Sequence, residues 1–131
     1  MANGTIAFDT LSTSGQITGT AKSVDTDYVV NGSAKSWLQF NGVTLVETGS
    51  FNISGVADGG DGDFDVTYTN NMSALNYSVV SAGGMLNTDA SGRISETNPT
   101  NTSGYQCTTT NSAGSKGDHT GNSNATFGDL A

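Results

Sequence analysis

Positive charge is what this chain has least of. Four basic residues, Lys22, Lys35, Arg93 and Lys116, stand against twelve acidic ones, for a formal net charge of −8. Nucleic-acid binding displaces counterions through clustered Lys and Arg, and no such cluster exists here, so no nucleic-acid partner is expected. The same shortage argues against docking on an anionic membrane surface. No window approaches the apolar length of a membrane-spanning helix, so no membrane insertion is expected. The N-terminal stretch MANGTIAFDTLSTSGQ lacks the basic start and apolar run of a signal peptide. A single cysteine, Cys107, excludes an intrachain disulfide and a cysteine-based metal site. Histidine, proline and tryptophan also occur once each, as His119, Pro99 and Trp37.

What is abundant is Gly, Ser, Thr and Asn, which make up about half of the 131 residues. Gly and Asn favour turns, and Thr fits a pleated, half-exposed strand. Strong helix formers such as Leu, Glu and Lys are scarce, and no segment shows helix-length periodicity. The composition therefore predicts an all-β domain. With 34% apolar residues the core is thin, and a single small domain of this kind gains from partner subunits.

Strand signals recur about every ten residues. Ile6, Phe8 and Ile17 give weak alternation over the first 22 residues, an edge-like strand pair or an extended arm. Tyr28-Val29-Val30 reads as a short strand stopped by Asn31-Gly32. Trp37-Leu38-Gln39-Phe40 is a strand stopped by Asn41-Gly42, and Val43 to Val46 leads to Phe51 and Ile53. Phe64, Val66 and Tyr68 alternate with Asp63, Asp65 and Thr67, a clean two-residue period. Tyr77 to Val80 and Tyr105 to Thr110 are further strands, the second with Cys107 inward, and Phe127 is a last anchor. Between them, Leu86 to about Ser103 is polar and reads as a long loop or a weak strand around Ile94. Six to nine short strands of this spacing describe an antiparallel sandwich or barrel.

Four aspartates within GVADGGDGDFDVTY (Asp58, Asp61, Asp63 and Asp65) raise the question of a metal site. An EF-hand loop starting at Asp61 fails, because Val66 stands where Gly is required and Met72 where a bidentate Glu is required. Outside that motif, Asp61, Asp63 and Asp65 are metal-site candidates. If Phe64, Val66 and Tyr68 face the core, Asp63 and Asp65 point outward together, roughly 6–7 Å apart, close enough to share a surface cation but not to cage it. The favoured reading is a hairpin tip whose carboxylates guard the strand against edge pairing. No catalytic residues are expected. The aspartates crowd one exposed turn rather than facing each other across a cleft, His119 sits in a Gly- and Ser-rich turn, and no nucleophile elbow occurs. No cofactor motif is present: GGDGD lacks the Lys and the helix of a phosphate loop. Trp37 is expected in the core or at a subunit interface, with a sugar platform as the alternative.

Three stretches, GSAKSWLQFNG, GSFNISGVADGGDGDFDVTYTNNMSALNYSVV and YQCTTTNSAGSKGDHTGNSNATFGD, carry a resemblance. The motif positions are Lys35, Trp37, Phe40, Asn41 and Gly42; then Ser50, Phe51, Asn52 and Ile53; then Asp58, Gly60, Gly62, Asp63 and Phe64; and finally Met72, Asn76, Tyr77, Phe127 and Gly128. Over about residues 34–131 the chain resembles the C-terminal knob domain of tail-fibre proteins from marine phages, such as those infecting cyanobacteria and pelagic bacteria. It departs from that family in size, with only about 30 residues ahead of the knob and no long stalk.

The resemblance implies a jelly-roll-like antiparallel β-sandwich knob over residues 28–131, with residues 1–27 as an arm for attachment or trimerisation. It implies a homotrimer in the virion, held to another tail or capsid protein, that binds a host surface glycan or protein without covalent chemistry. A capsid decoration protein, cementing the shell or forming a head fibre, is the structural alternative. A calcium-dependent glycan-binding module is the second alternative. Receptor contacts are expected on the polar segment carrying Asn87, Asp89, Arg93, Glu96 and Asn98, because binding residues concentrate on loops.

Overall fold

The computed structural model describes residues 16–18, 23–84, 94–111 and 113–131. Its elements are β1 (Gln16–Thr18), β2 (Ser23–Asp25), α1 (Thr26–Gly32), β3 (Ser36–Asn41), β4 (Val46–Phe51) and β5 (Ile53–Gly60). They continue with β6 (Asp63–Tyr68), β7 (Ser78–Gly84), β8 (Ile94–Asn101), β9 (Gly104–Thr110) and β10 (Gly121–Phe127). β1 and β2 pair only with each other. The other eight strands form two antiparallel sheets, with orders β4-β3-β10-β7 (sheet I) and β5-β6-β9-β8 (sheet II). The described residues are all-β apart from one short helix, as the composition predicts.

The two sheets meet through the side chains that alternation turns inward. Along β3 these are Ser36, Leu38 and Phe40; along β6, Phe64, Val66 and Tyr68; along β9, Tyr105, Cys107 and Thr109. Phe40 and Phe64 meet edge to face with centroids 5.1 Å apart, the geometry ring quadrupoles prefer. β10 is different, because its inward residues are Asn122, Asn124 and Thr126, all buried. A buried polar group is costly unless hydrogen-bonded, and sheet II supplies phenols opposite this strand. Tyr68 Oη lies 3.0 Å from Thr126 Oγ1. Asn124 Oδ1 accepts from Ser81 Oγ, whereas its Nδ2 is buried near the Tyr105 hydroxyl without a hydrogen bond among the described residues. Asn122 Nδ2 donates to the His119 carbonyl at 2.7 Å. At one margin, Thr97 Oγ1 of β8 donates to the Val79 carbonyl of β7 at 3.0 Å. The inter-sheet contact is thus partly apolar and partly polar.

The chain changes sheets between β4 and β5 at Asn52, which takes the left-handed φ of 57° that Asn tolerates better than most residues. Its side chain locks the corner. Nδ2 donates to the carbonyls of Lys35 (3.0 Å) and Asn70 (3.1 Å), and Oδ1 accepts the Asn70 amide (2.7 Å).

Two segments differ from the sequence expectation, and a third settles an alternative it left open. Tyr28 to Val30 belongs to α1 rather than to a strand, and all three side chains are exposed. Thr26 and Asp27 are residue types that start helices, and Gly32 ends this one; a three-residue apolar run cannot by itself distinguish the two states. Val43 to Leu45 form a turn, because Asn41 Oδ1 accepts the amides of Val43 (3.0 Å) and Thr44 (3.2 Å) and bends the chain locally. Ile94–Asn101 is a full strand paired to β9, which bears out the strand alternative around Ile94 over the long loop. It lies at the edge of sheet II, where Pro99 is tolerated because an edge strand leaves one side unpaired. The expectations placed on Ile6, Phe8 and Leu86 lie outside the described residues.

Two outcomes follow for stability. Phe40→Ala is expected to cost about 3–5 kcal/mol in urea unfolding, because it empties the centre of the apolar part. Burial pushes the Tyr68 and Tyr105 hydroxyls well above the ordinary phenol value of 10.0. The unfolded chain therefore releases these protons first. Stability is complete below pH 10 and declines as the pH rises beyond it. Tyr68→Phe is expected to flatten that decline and to lower stability at pH 7 by about 1–3 kcal/mol.

Candidate functional site

The acidic stretch is the tip of the β5–β6 hairpin, where Gly60 pairs with Asp63 across Asp61-Gly62. Its four carboxylates do four separate things. Asp58 Oδ1 accepts the Gly60 amide at 2.9 Å and shapes the turn, while Asp61 stands exposed at the tip. Asp63 is half-buried between two donors: Lys116 Nζ at 2.5 Å from Oδ2, and Thr108 Oγ1 at 2.6 Å from Oδ1. Those hydrogen bonds, Lys116 first and Thr108 second, hold its carboxyl below the usual 3.8. Asp65 is exposed and accepts from Gln106 Nε2 at 3.5 Å. Among the described residues, no three Asp, Glu, His or Cys side chains converge as a metal set. Alternation does point Asp63 and Asp65 outward as expected, but onto different partners.

Nor is the tip a free turn. Gly62 is buried at φ 73°, and its amide donates to Asp118 Oδ1 at 2.8 Å. Its carbonyl accepts the Thr109 amide at 2.7 Å. A Cβ on Gly62 would stand 2.5 Å from the Gly117 nitrogen and 2.6 Å from the Thr109 oxygen. Asp118 and Lys116, eight residues beyond β9 at most, thus grip the hairpin from the segment leading to β10. His119 belongs to the same segment. Its carbonyl accepts the Gly42 amide at 2.8 Å, so it is half-buried rather than the solvated loop residue its neighbours suggest.

Of the expected receptor contacts, Asn87, Asp89 and Arg93 lie outside the described residues. Glu96 and Asn98 lie on strand β8, opposite Thr108 and Gln106 respectively. Asn98 is exposed and, with Thr97, Gln106 and Thr108, lines a depression of ≈350 Å3. In register, Asp65, Gln106 and Asn98 form one polar row across the outer side of sheet II.

Sheet I presents the opposite surface. Phe51, Trp37, Ala125 and Val80 are in register across all four strands and face outward, with Trp37 46% exposed, Phe51 55% and Val80 59%. The neighbouring row, Gly49, Gln39, Ser123 and Ala82, carries no charge. Trp37 is therefore not a core residue. Its ring rests over Gly49, where a Cβ would come within 3.1 Å of it. Sequence reading found the Trp37 strand but not this row, because the row joins residues from four distant segments. The one available signal was that Trp37 and Phe51 fall out of phase with Leu38 and Phe40.

Lys116→Ala is expected to return the Asp63 carboxyl toward its ordinary value, followed by its side-chain carbon shift in an NMR titration. Because the folded value is depressed, this pair contributes above pH 3.8 and its contribution is lost as the pH falls through the folded value. At pH 7 the exposed pair is worth only about 0.2–1 kcal/mol. Gly62→Ala is expected to cost more, above ~2 kcal/mol, from backbone strain and steric overlap. Comparison of the whole chain with protein-family models, curated proteins and solved structures finds no match.

Proposed function

We propose that this chain is a non-enzymatic structural protein of a bacteriophage particle, an attachment knob that works as a homotrimer and binds a host surface without covalent chemistry. What carries the reading is the apolar row Phe51, Trp37, Ala125 and Val80 on the outer side of sheet I. A chain of net charge −8 associates with its own copies most readily where that charge is absent, and the two central rows of this face carry none. Covering it also supplies the apolar burial that the partly polar interior lacks. The occupant we assign to it is a second copy of the chain, repeated around a three-fold axis. The two sheets then form the β-sandwich of each subunit. Its hairpins β3–β4, β5–β6 and β8–β9 lie side by side within a layer, rather than nested as in a jelly roll.

The resemblance to tail-fibre knobs supports the viral part of the reading, and the polar outer side of sheet II leaves a hydrated surface for receptor or solvent. Repetition around the axis raises the avidity of individually weak contacts. The alternative of a capsid decoration protein uses the same trimer with a different location.

Light scattering at micromolar concentration is expected to give three times the 13.3 kDa of one chain. Trp37→Ser combined with Phe51→Ser is expected to give the mass of one chain with an unchanged β-type circular dichroism spectrum. A monomeric parent protein would remove the trimer. Gold labelling of intact particles is expected at the tail; label confined to the shell would assign capsid decoration instead.

A further inference from the structure

We infer that the cleft at the end of sheet I where β10 stops and β7 starts is a binding site for a neutral polyhydroxylated ligand, one or two sugar rings. The inference deepens the attachment reading and rests on it for the ligand's origin at a cell surface. The cleft has a volume of ≈510 Å3, within the range of about 300–1,000 Å3 typical of small-molecule sites. Asn31, Ser73, Asn76, Ser78, Phe127 and Asp129 supply its side chains.

Its walls are fixed from beneath. Tyr77 is buried, and its hydroxyl reaches the carbonyls of Gly104 (2.6 Å) and Asn101 (2.9 Å). The chain at Gly128 passes so close that a Cβ there would lie 2.7 Å from Tyr77 Cβ. The Ser73 amide donates to the Asp129 carbonyl at 2.9 Å, and Met72 bridges to Leu130. Both strands are therefore pinned together on either side of the opening. A site held by backbone contacts needs little reordering when a ligand enters.

The lining is chosen chemistry for hydroxyl groups. It contains two amides that donate and accept, two hydroxyls and one carboxylate acceptor, with no Lys or Arg. Elsewhere the chain uses its asparagine side chains to build turns, as at Asn41, Asn52 and Asn111. The side chains of Asn31, Ser73, Asn76, Ser78 and Asp129 make no hydrogen bond with other described residues, so their capacity is directed outward. Phe127 is half-buried on the outer side of sheet I and lines the cleft, placing an aromatic side chain where the apolar C–H face of a sugar can pack. The carboxylate and the overall charge of −8 disfavour an anionic ligand. The depression beside Asn98 is also polar but has no aromatic side chain in its lining, so it is the poorer sugar site.

The test is an amide NMR titration of the full 15N-labelled chain with methyl glycosides of glucose, galactose, mannose and N-acetylglucosamine, and with N-acetylneuraminic acid as the anionic comparison. At least one neutral glycoside is expected to shift Ser73, Asn76, Ser78 and Asp129 together with the Asn76 side-chain amide. Asn76→Ala is expected to weaken that binding about tenfold, while Trp37→Ser leaves it unchanged. Absence of any shift across the neutral panel overturns the inference, as do shifts confined to Asn98 and Gln106, or a response to the anionic sugar alone. Failure here leaves the trimer standing, and a monomer that still shows these shifts removes the trimer while keeping the cleft.

Discussion

The interior of this protein depends on one unusual strand. β10 is central in sheet I, yet it turns Asn122, Asn124 and Thr126 toward the core. Such a strand is tolerated where partners reach its inward polar groups. Tyr68 of the facing sheet reaches Thr126, Ser81 reaches Asn124, and the His119 carbonyl takes the Asn122 amide, while Tyr105 lies beside Asn124. Burial keeps both phenols protonated far above the ordinary value, so they remain neutral through any physiological pH. Hydrogen bonds are directional, and a slip of one residue in β10 would replace every inward polar group by its outward neighbour. Register is thus specified by polarity as much as by packing.

That choice has a cost that appears on the outside. Interior volume occupied by amides and hydroxyls is not available to Trp37, Phe51 and Val80, which stand on the outer side of sheet I. Several of the described charged groups lie elsewhere. Asp63 and Asp65 lie on the outer side of sheet II, and Asp58, Asp61, Lys116 and Asp118 gather around the hairpin tip. Sheet I therefore carries uncharged, partly apolar central rows and sheet II a polar acidic outer side, with the cleft containing Phe127 and Asp129 at one end of sheet I. The carboxylates of Asp58, Asp63 and Asp118 are engaged with backbone amides, Lys116 and Thr108, contacts that hold the hairpin in place.

Much of this was legible in the sequence where period-two alternation coincided with polarity. Phe64, Val66 and Tyr68 announced β6 and fixed the outward direction of Asp63 and Asp65. Leu38, Phe40, Tyr105 and Cys107 likewise marked β3 and β9. β10 was legible only at Phe127, because GNSNAT reads as turn chemistry when its inward residues are Asn and Thr. β8 was only partly legible for a related reason: its polar residues and Pro99 suit an edge strand as well as they suit a loop. The helix α1 was masked by Tyr28, Val29 and Val30, a run with strand propensity but no core to fill. The acidic tip was read correctly as a hairpin, yet its grip by Asp118 and Lys116 depends on residues more than 50 positions away, which local pattern cannot reveal. The apolar row was illegible for the same reason, since only strand order brings Phe51, Trp37, Ala125 and Val80 together.

Trp37 is the only tryptophan in the chain and stands in the middle of the face assigned to the partner copies. Its fluorescence therefore reports directly on whether that face is covered. Steady-state emission and acrylamide quenching over a dilution series should show a blue-shifted, protected Trp37 at micromolar concentration, becoming red-shifted and quenchable as the assembly dissociates. A Trp37 that is fully quenchable at every concentration would contradict assembly through this face.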